Sequence, residues 1–445
     1  MRRIVVTLIV LVCLVLSAGM FAAQAATEDE IEGAINDGLT WLVGQQHADG
    51  SWYDYEGNDT AATCLVLVKL QERAYELGHD SPFDPNYEYA ENVERGWGFV
   101  FNAARVVKQD PLPVQTHGDP DTNGNGYGIY FQSGSPHPTY TTGICTMALT
   151  ASGTPNRPND GGLDFDGDTN ADTFLELAQE AVDWLAFAQV DSGIDEGGWR
   201  YEACDGSCSA DQSNSGYAVL GVQYGDEFGC TVPDWVRTEL DVYIDYIQCD
   251  VAGADYGGSG YDVPCGWVNE LKTGNLIFEM TFVGDDPSEG RFQDALDYME
   301  RHWQDANTDP GWGYDVLPAN YQAMYCLMKG LEFSRIDLLD TDGDGNRDND
   351  WFNQEPPAAP AQDFASVLVA QQHPDGYWND CCWGERILGT AWALLTLEKV
   401  APPPPVPVGG LTMPPLPFDL LVPMLALGAL AAIVATAVVL KKLRA

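Results

Sequence analysis

The phrase Gln45-Gln46-His47-Ala48-Asp49-Gly50-Ser51-Trp52 returns near the far end of the chain as Gln371-Gln372-His373-Pro374-Asp375-Gly376-Tyr377-Trp378. Each copy follows a helix-like run and precedes a second apolar run, so the phrase marks the turn of a helical hairpin, and the chain is predicted to be built from copies of it. In unit one Ile31, Ile35, Leu39 and Leu42 recur at three- and four-residue steps before the turn, and residues 61–70 form the second helix. Unit two begins near Tyr89, includes Trp97 and Phe99, and resumes after a long polar insertion at 140–149. Units three to five turn at Gly197-Gly198-Trp199, at Gly257-Gly258-Ser259-Gly260-Tyr261 and at Gly311-Trp312-Gly313, and unit six carries the second copy of the phrase. Hairpins that are apolar on more than one side cannot bury those faces singly and must stack. The likeness of the first and last turns predicts a closed ring in which units one and six are neighbours. In each turn glycine permits close backbone approach, while the Trp or Tyr fills the space between adjacent hairpins.

The ends of the chain predict its location. Residues 1–26 combine Arg2 and Arg3, an apolar stretch and the small-residue ending Ala23-Gln24-Ala25, the pattern of a cleavable secretory signal. Residues 420–440 form an apolar stretch long enough to span a bilayer, and the tail at 441–445 brings Lys441, Lys442 and Arg444, which favour a cytoplasmic end. Residues 401–419 are rich in proline and read as a short, stiff stalk. The expectation is a single-pass cell-surface protein, anchored to the membrane by its C-terminal helix, with residues 27–400 as an extracellular domain.

Without signal, stalk, span and tail the chain has 16 Lys and Arg against 66 Asp and Glu, a net charge of −50. Nucleic acid is excluded as a partner by charge of that sign and size. A compact fold holds it only where cations screen it, which points to a saline or calcium-rich exterior. Ten cysteines remain after the signal. In an oxidising compartment, pairs Cys204–Cys208 and Cys249–Cys265 are expected to bridge local loops. Cys64, Cys145 and Cys326 fall at matching places in apolar helical runs and read as small buried core residues. Cys381 and Cys382 are expected to bond to separate partners.

The Gln-rich helix end, then Asp-Gly-x-Trp, then a second helix, resembles the repeats of the terpenoid cyclase and protein prenyltransferase family. The resemblance covers about residues 28–400 and is strongest in units one, three and six. It implies an all-α fold, an α/α toroid of about six helical hairpins in inner and outer rings, here followed by a C-terminal transmembrane helix. Similar toroids carry cyclisation, prenyl transfer, thioester chemistry or polysaccharide cleavage, so the resemblance specifies fold better than function. Squalene-type cyclisation implies an Asp-x-Asp-Asp string, which is absent; Asp285-Asp286 lacks the preceding Asp. Prenyl transfer implies zinc on an Asp-x-Cys element with a later His; Asp380-Cys381-Cys382 fits the first part, but no His follows it. Cys382-Trp383-Gly384-Glu385-Arg386 does not match the thioester string Gly-Cys-Gly-Glu-Gln. Catalytic residues are therefore not assigned. The expected function is binding of a ligand, a polysaccharide or surface protein, with an extracellular lyase or hydrolase as one alternative and a structural envelope component as another. His47 and His373 lie in the structural turns, while His117 and His137 bracket the insertion, where two readings stay open, solvated loop histidines as the expected one and a place facing the cavity as the other.

Three acidic loops spell a different chemistry. Asp340, Asp342, Asp344, Asn346 and Asp348 place oxygen ligands at alternate positions with Gly345 sixth, as a calcium loop requires. The twelfth position is Trp351 instead of the bidentate Glu. Asp164, Asp166, Asp168, Asn170 and Asp172 repeat the spacing without the sixth-position Gly, and Asp119, Asp121, Asn123 and Asn125 form a shorter version with Gly124. Structural Ca2+ at these loops would brace the long connections between hairpins. Calcium at a hundredfold excess over its Kd is expected to add about 2.7 kcal/mol per site to stability. No heat on calorimetric titration and no rise in melting temperature would contradict that expectation.

Overall fold

The computed structural model describes residues 25–400 apart from 54–56, 103, 133, 135–136, 204–208, 306–307, 356, 359 and 383–385. The first 24 residues, the stalk, the predicted span and the tail lie outside the described residues, as do Cys204 and Cys208. So does the second of the two units into which the chain divides, 405–445. Among the described residues no helix is long and apolar enough to cross a membrane. Ala26 already belongs to the folded body, its N–H donating to Ser366 and its carbonyl accepting from Asn353.

Among the described residues twelve helices alternate between two layers. The outer ones are α1 (Glu28–Gly44), α3 (Ala90–Val100), α5 (Phe174–Ala188), α7 (Asp234–Ile247), α9 (Gly290–His302) and α11 (Phe364–Gln371). The inner ones are α2 (Asp59–Glu76), α4 (Pro138–Ala151), α6 (Gln212–Phe228), α8 (Glu270–Val283), α10 (Tyr321–Ser334) and α12 (Arg386–Leu397). Local chemistry sets their starts: Thr27 with Glu30 and Thr173 with Glu176 form capping boxes, and Asp211, Asn269, Asn320 and Asp363 accept the N–H three residues on. Inner helices are buried almost all round; among the outer ones α1 and α9 are buried mainly along one stripe, whereas α5 is buried over most of its length. Each inner helix packs on the next, and α12 returns to α2, so the inner ring is closed; α11 and α12 also pack on α1. The fold is an α/α toroid.

One device recurs in four of the six turns. The Gln46 amide donates both to the carbonyl of its own turn glycine, Gly50 (3.0 Å), and to that of Asn92 on α3 (2.9 Å). Gln189 joins Gly197 to Val236 on α7, and Gln248 joins Gly257 to Arg291 on α9. Gln372 joins Gly376 to Ala34 on α1, which locks the last hairpin to the first. The four glycines have positive φ, and a Cβ on each would strike the backbone carbonyl three residues beyond the bridged one, on Arg95, Glu239, Asp294 and Asp37. Glycine is required there twice over, by conformation and by space. The turn then docks on its own inner helix, as the N–H groups of Trp52, Trp199 and Trp378 reach Thr63, Ser215 and Thr390.

In unit four the residue in this place is Ser259, bonded to Thr273, so Tyr261 is not the expected counterpart of the Trp residues. Three further expectations change. The described part is not purely helical: β1 (Val106–Gln109) pairs with β2 (Gly128–Phe131), and β3 (Leu338–Leu339) with β4 (Asn349–Asp350). Cys64 and Cys145 form a disulfide between α2 and α4, because matching places in adjacent hairpins lie side by side in the inner ring; Cys326 is a buried free thiol. Cys381 and Cys382 bond to each other, and Cys249 pairs with Cys265 as expected.

Gly376→Ala is expected to destabilise the fold by roughly 2–4 kcal/mol through strain and overlap with the Asp37 carbonyl. Gly33→Ala, in open space on α1, should be neutral or stabilising by up to about 1 kcal/mol. Denaturant unfolding of the two variants checks the contrast.

Candidate functional site

The N-terminal ends of the inner helices surround a cavity of about 180 Å3. Its wall is drawn from every inner helix but α8: Asn58 and Leu65 near and on α2, Tyr140 and Ile144 on α4, Ser213, Asn214 and Tyr217 on α6, Gln322 on α10, Leu388 and Trp392 on α12. His137, just before α4, and Tyr201, in the unit-three turn, complete the rim. His137 therefore faces the cavity and is not a solvated loop histidine. Among the described residues that line it, none is Asp or Glu. The mixture of aromatic faces with amide and hydroxyl groups suits a neutral, polar ligand with an apolar side.

A line of aromatic rings runs out of this cavity to the surface. Tyr217 and Tyr140 lie 6.5 Å apart between ring centroids, Tyr140 and His137 5.5 Å, and His137 and Tyr201 4.7 Å. The hydroxyls of Tyr201 and Tyr261 are 2.9 Å apart, and Tyr261 packs on Trp267 at 5.4 Å. Trp267 is 63% exposed, with its indole N–H tied to Asp309 and the Lys272 ammonium over its ring. Arg200 stands beside the line, over Tyr201 and Tyr261 and paired with Asp211.

Across the bore, the Tyr325 hydroxyl on α10 reaches the Met147 sulfur on the opposite helix α4 (3.7 Å). Buried ionisable groups lie among the inner helices. Lys329 sits over Tyr217, Phe278 and Tyr325 and donates to the Gly216 carbonyl. Burial pushes the Glu279 carboxyl up to about 8, against the opposing pull of a Gln212 hydrogen bond (2.6 Å) and of Lys329.

The acidic loops are the tips of antiparallel pairs: β1–β2, the Pro158–Thr173 bridge, and β3–β4. At β3–β4, the Asp340 carboxylate accepts the N–H groups of Gly343, Asp344 and Gly345, and ligand oxygens of Asp340, Asp342 and Asp344 lie within 4.8 Å of one another. Asn346 turns its amide to Asp344, Asp348 is exposed outside that group, and Trp351 is a core residue bonded to Ile336. Asp164, Asp166 and Asp172 form a second such group, with burial pushing Asp172 up to about 6, while Asp168 is engaged with Asn170. In the third loop the frame is shifted by two from the one expected. Asp121, not Asp119, gathers the N–H groups of Gly124, Asn125 and Gly126, and Asp119 accepts only from Asp121. Its Thr122, Asn123 and Asn125 reach Asp183 and Glu180 on α5, both pushed up to about 7, chiefly by burial.

His117 was not assigned a partner by sequence reasoning. Its two ring nitrogens lie 3.0 Å from Glu196 and 3.1 Å from Glu239, whose carboxyl is raised by burial. These residues come from different units, so no local spacing announced them.

No protein-family model matches the chain, and no curated protein matches it. Among solved structures it is similar to the type II terpene cyclase MstE from Scytonema, with 14% identity over 84% of this chain and 98% of that one, TM-score 0.44. It is also similar to a glycoside hydrolase family 76 mannosidase from Bacteroides thetaiotaomicron, with 10% identity over 83% of this chain and 97% of that one, TM-score 0.49.

Burial in the fold pushes the Glu279 carboxyl up from its ordinary 4.5 to about 8. Between those values the folded state holds a proton that the unfolded chain has released, so stability falls as pH rises through the window, by up to about 1.4 kcal/mol per pH unit. Glu279→Gln is expected to flatten the fall in unfolding free energy between pH 5 and 8. An unchanged slope would contradict this.

Proposed function

We propose that the toroid is a cell-surface binding domain for a neutral saccharide chain, held outside the membrane by the C-terminal helix. The aromatic line from Trp267 through Tyr261, Tyr201, His137 and Tyr140 to Tyr217 carries this reading. Pyranose rings present C–H faces that pack on aromatic rings, while their hydroxyls suit amides such as Asn214 and Gln322 at the cavity wall. The line would accept successive sugar units, with a chain end in the cavity.

An extracellular glycoside hydrolase is the second reading on the same path. Such chemistry generally needs two carboxyl groups flanking the scissile bond, and among the described residues the cavity wall supplies none. The nearby Asp211 is fully buried and tied to Arg200 and to the start of α6. Binding is therefore favoured over cleavage.

Calorimetry against neutral polysaccharides, with reducing-end release assayed in parallel, tests the choice. Trp267→Ala is expected to weaken binding about tenfold, the equivalent of ~1.4 kcal/mol, without altering the melting temperature. Binding that ignores both Trp267→Ala and Tyr217→Ala would overturn the proposal, and release of reducing ends would establish the hydrolase instead.

A further inference from the structure

The acidic loop at the tip of β1–β2 is set apart from the other two by what stands behind it. Asn123 and Asn125 both donate to one oxygen of Glu180, each at 2.7 Å. Glu180 is only 3% exposed, and its other carboxylate oxygen has no hydrogen-bond partner. Among the described residues, no Lys or Arg forms an ion pair with Glu180 or with Asp183 one turn further along α5. A buried carboxylate in that state is costly unless a cation meets it.

The molecule contains its own comparison. Asp121-Thr122-Asn123-Gly124-Asn125-Gly126 and Asp340-Thr341-Asp342-Gly343-Asp344-Gly345 share the pattern Asp-Thr-x-Gly-x-Gly. In both, the first Asp accepts the N–H groups of the fourth, fifth and sixth residues. Both stand against a glutamate of an outer helix, Glu180 on α5 and Glu300 on α9. Glu300 is met by the Arg347 guanidinium (2.6 and 3.0 Å) and by the Asp340 N–H. Among the described residues no guanidinium or ammonium does the same for Glu180, which is met only by the neutral amides of Asn123 and Asn125.

We propose that the β1–β2 tip is a calcium site closed from outside the loop: Asp121, Asn123 and Asn125 supply side-chain oxygens, and Glu180 on α5 supplies the acidic ligand. In a one-chain calcium loop that ligand is the twelfth residue. Here the twelfth residue counted from Asp121 is Gln132, whose amide is engaged with the Ala104 carbonyl. Oxygen donors only, drawn from a loop and a separate helix, favour calcium over the smaller magnesium ion with its stricter octahedral demand. The ion would pin the unit-two insertion to the outer ring.

Hydrogen exchange of the full-length protein, with and without about 1 mM calcium, the range of extracellular sites, tests the proposal. Calcium is expected to slow exchange across 119–127 at least tenfold in the natural chain and in Asp340→Asn, but not in Glu180→Gln. Absence of slowing in the natural chain, or equal slowing in Glu180→Gln, would overturn it. Should Glu180→Gln lose protection of α5 in calcium-free buffer, Glu180→Asp decides. It keeps the carboxylate, so slowing at higher calcium supports the site and none refutes it.

Discussion

The toroid depends on a side-chain amide shared between two backbones. A glutamine at the end of an outer helix holds its own turn and, with the same nitrogen, the neighbouring outer helix, while a glycine lets the two surfaces meet. Four of the six turns grip a neighbouring hairpin in this way, and the grip of the last on α1 joins the two ends of the series. The carbonyls involved lie in the first half of α1, α3, α7 and α9, where a polar partner between packed helices is otherwise hard to provide. Glutamine at this point is thus an assembly residue, with no role in chemistry required to account for it.

Much of this was legible in the chain. The doubled phrase named the turn, and the likeness of its two copies identified the neighbours at the seam. Less legible was which letters of the phrase matter. Tyr261 looked like the unit-four aromatic because it follows a glycine cluster, yet Ser259 takes that position and Tyr261 joins the aromatic line near the mouth. Disulfide Cys64–Cys145 was hidden for a related reason: equal positions in two helices reveal adjacency only once the ring places those helices side by side.

The candidate sites divide along the same boundary. Alternating Asp and Asn in the acidic loops are local patterns, visible as spacing. Glu180 is one carboxylate among the chain's 67 acidic residues, and only burial beside Asn123 and Asn125 distinguishes it. The aromatic line is built from units two, three and four and from the insertion, so no window of sequence contains it. Of its members only Tyr261 was expected to plug a hairpin turn, the role that Trp52, Trp199 and Trp378 do fill.

Closure by a shared amide is the central claim, and it has a geometric consequence. In a closed ring α1 and α11 pack on each other; in an open stack of six hairpins they would lie at opposite ends. Spin labels introduced at the exposed positions Gly33 and Ala370 report the separation directly by pulsed electron resonance. A single narrow distribution within about 20 Å, the scale of two packed helices with their labels, is the predicted result. A broad distribution, or one centred several helix diameters away, would contradict closure.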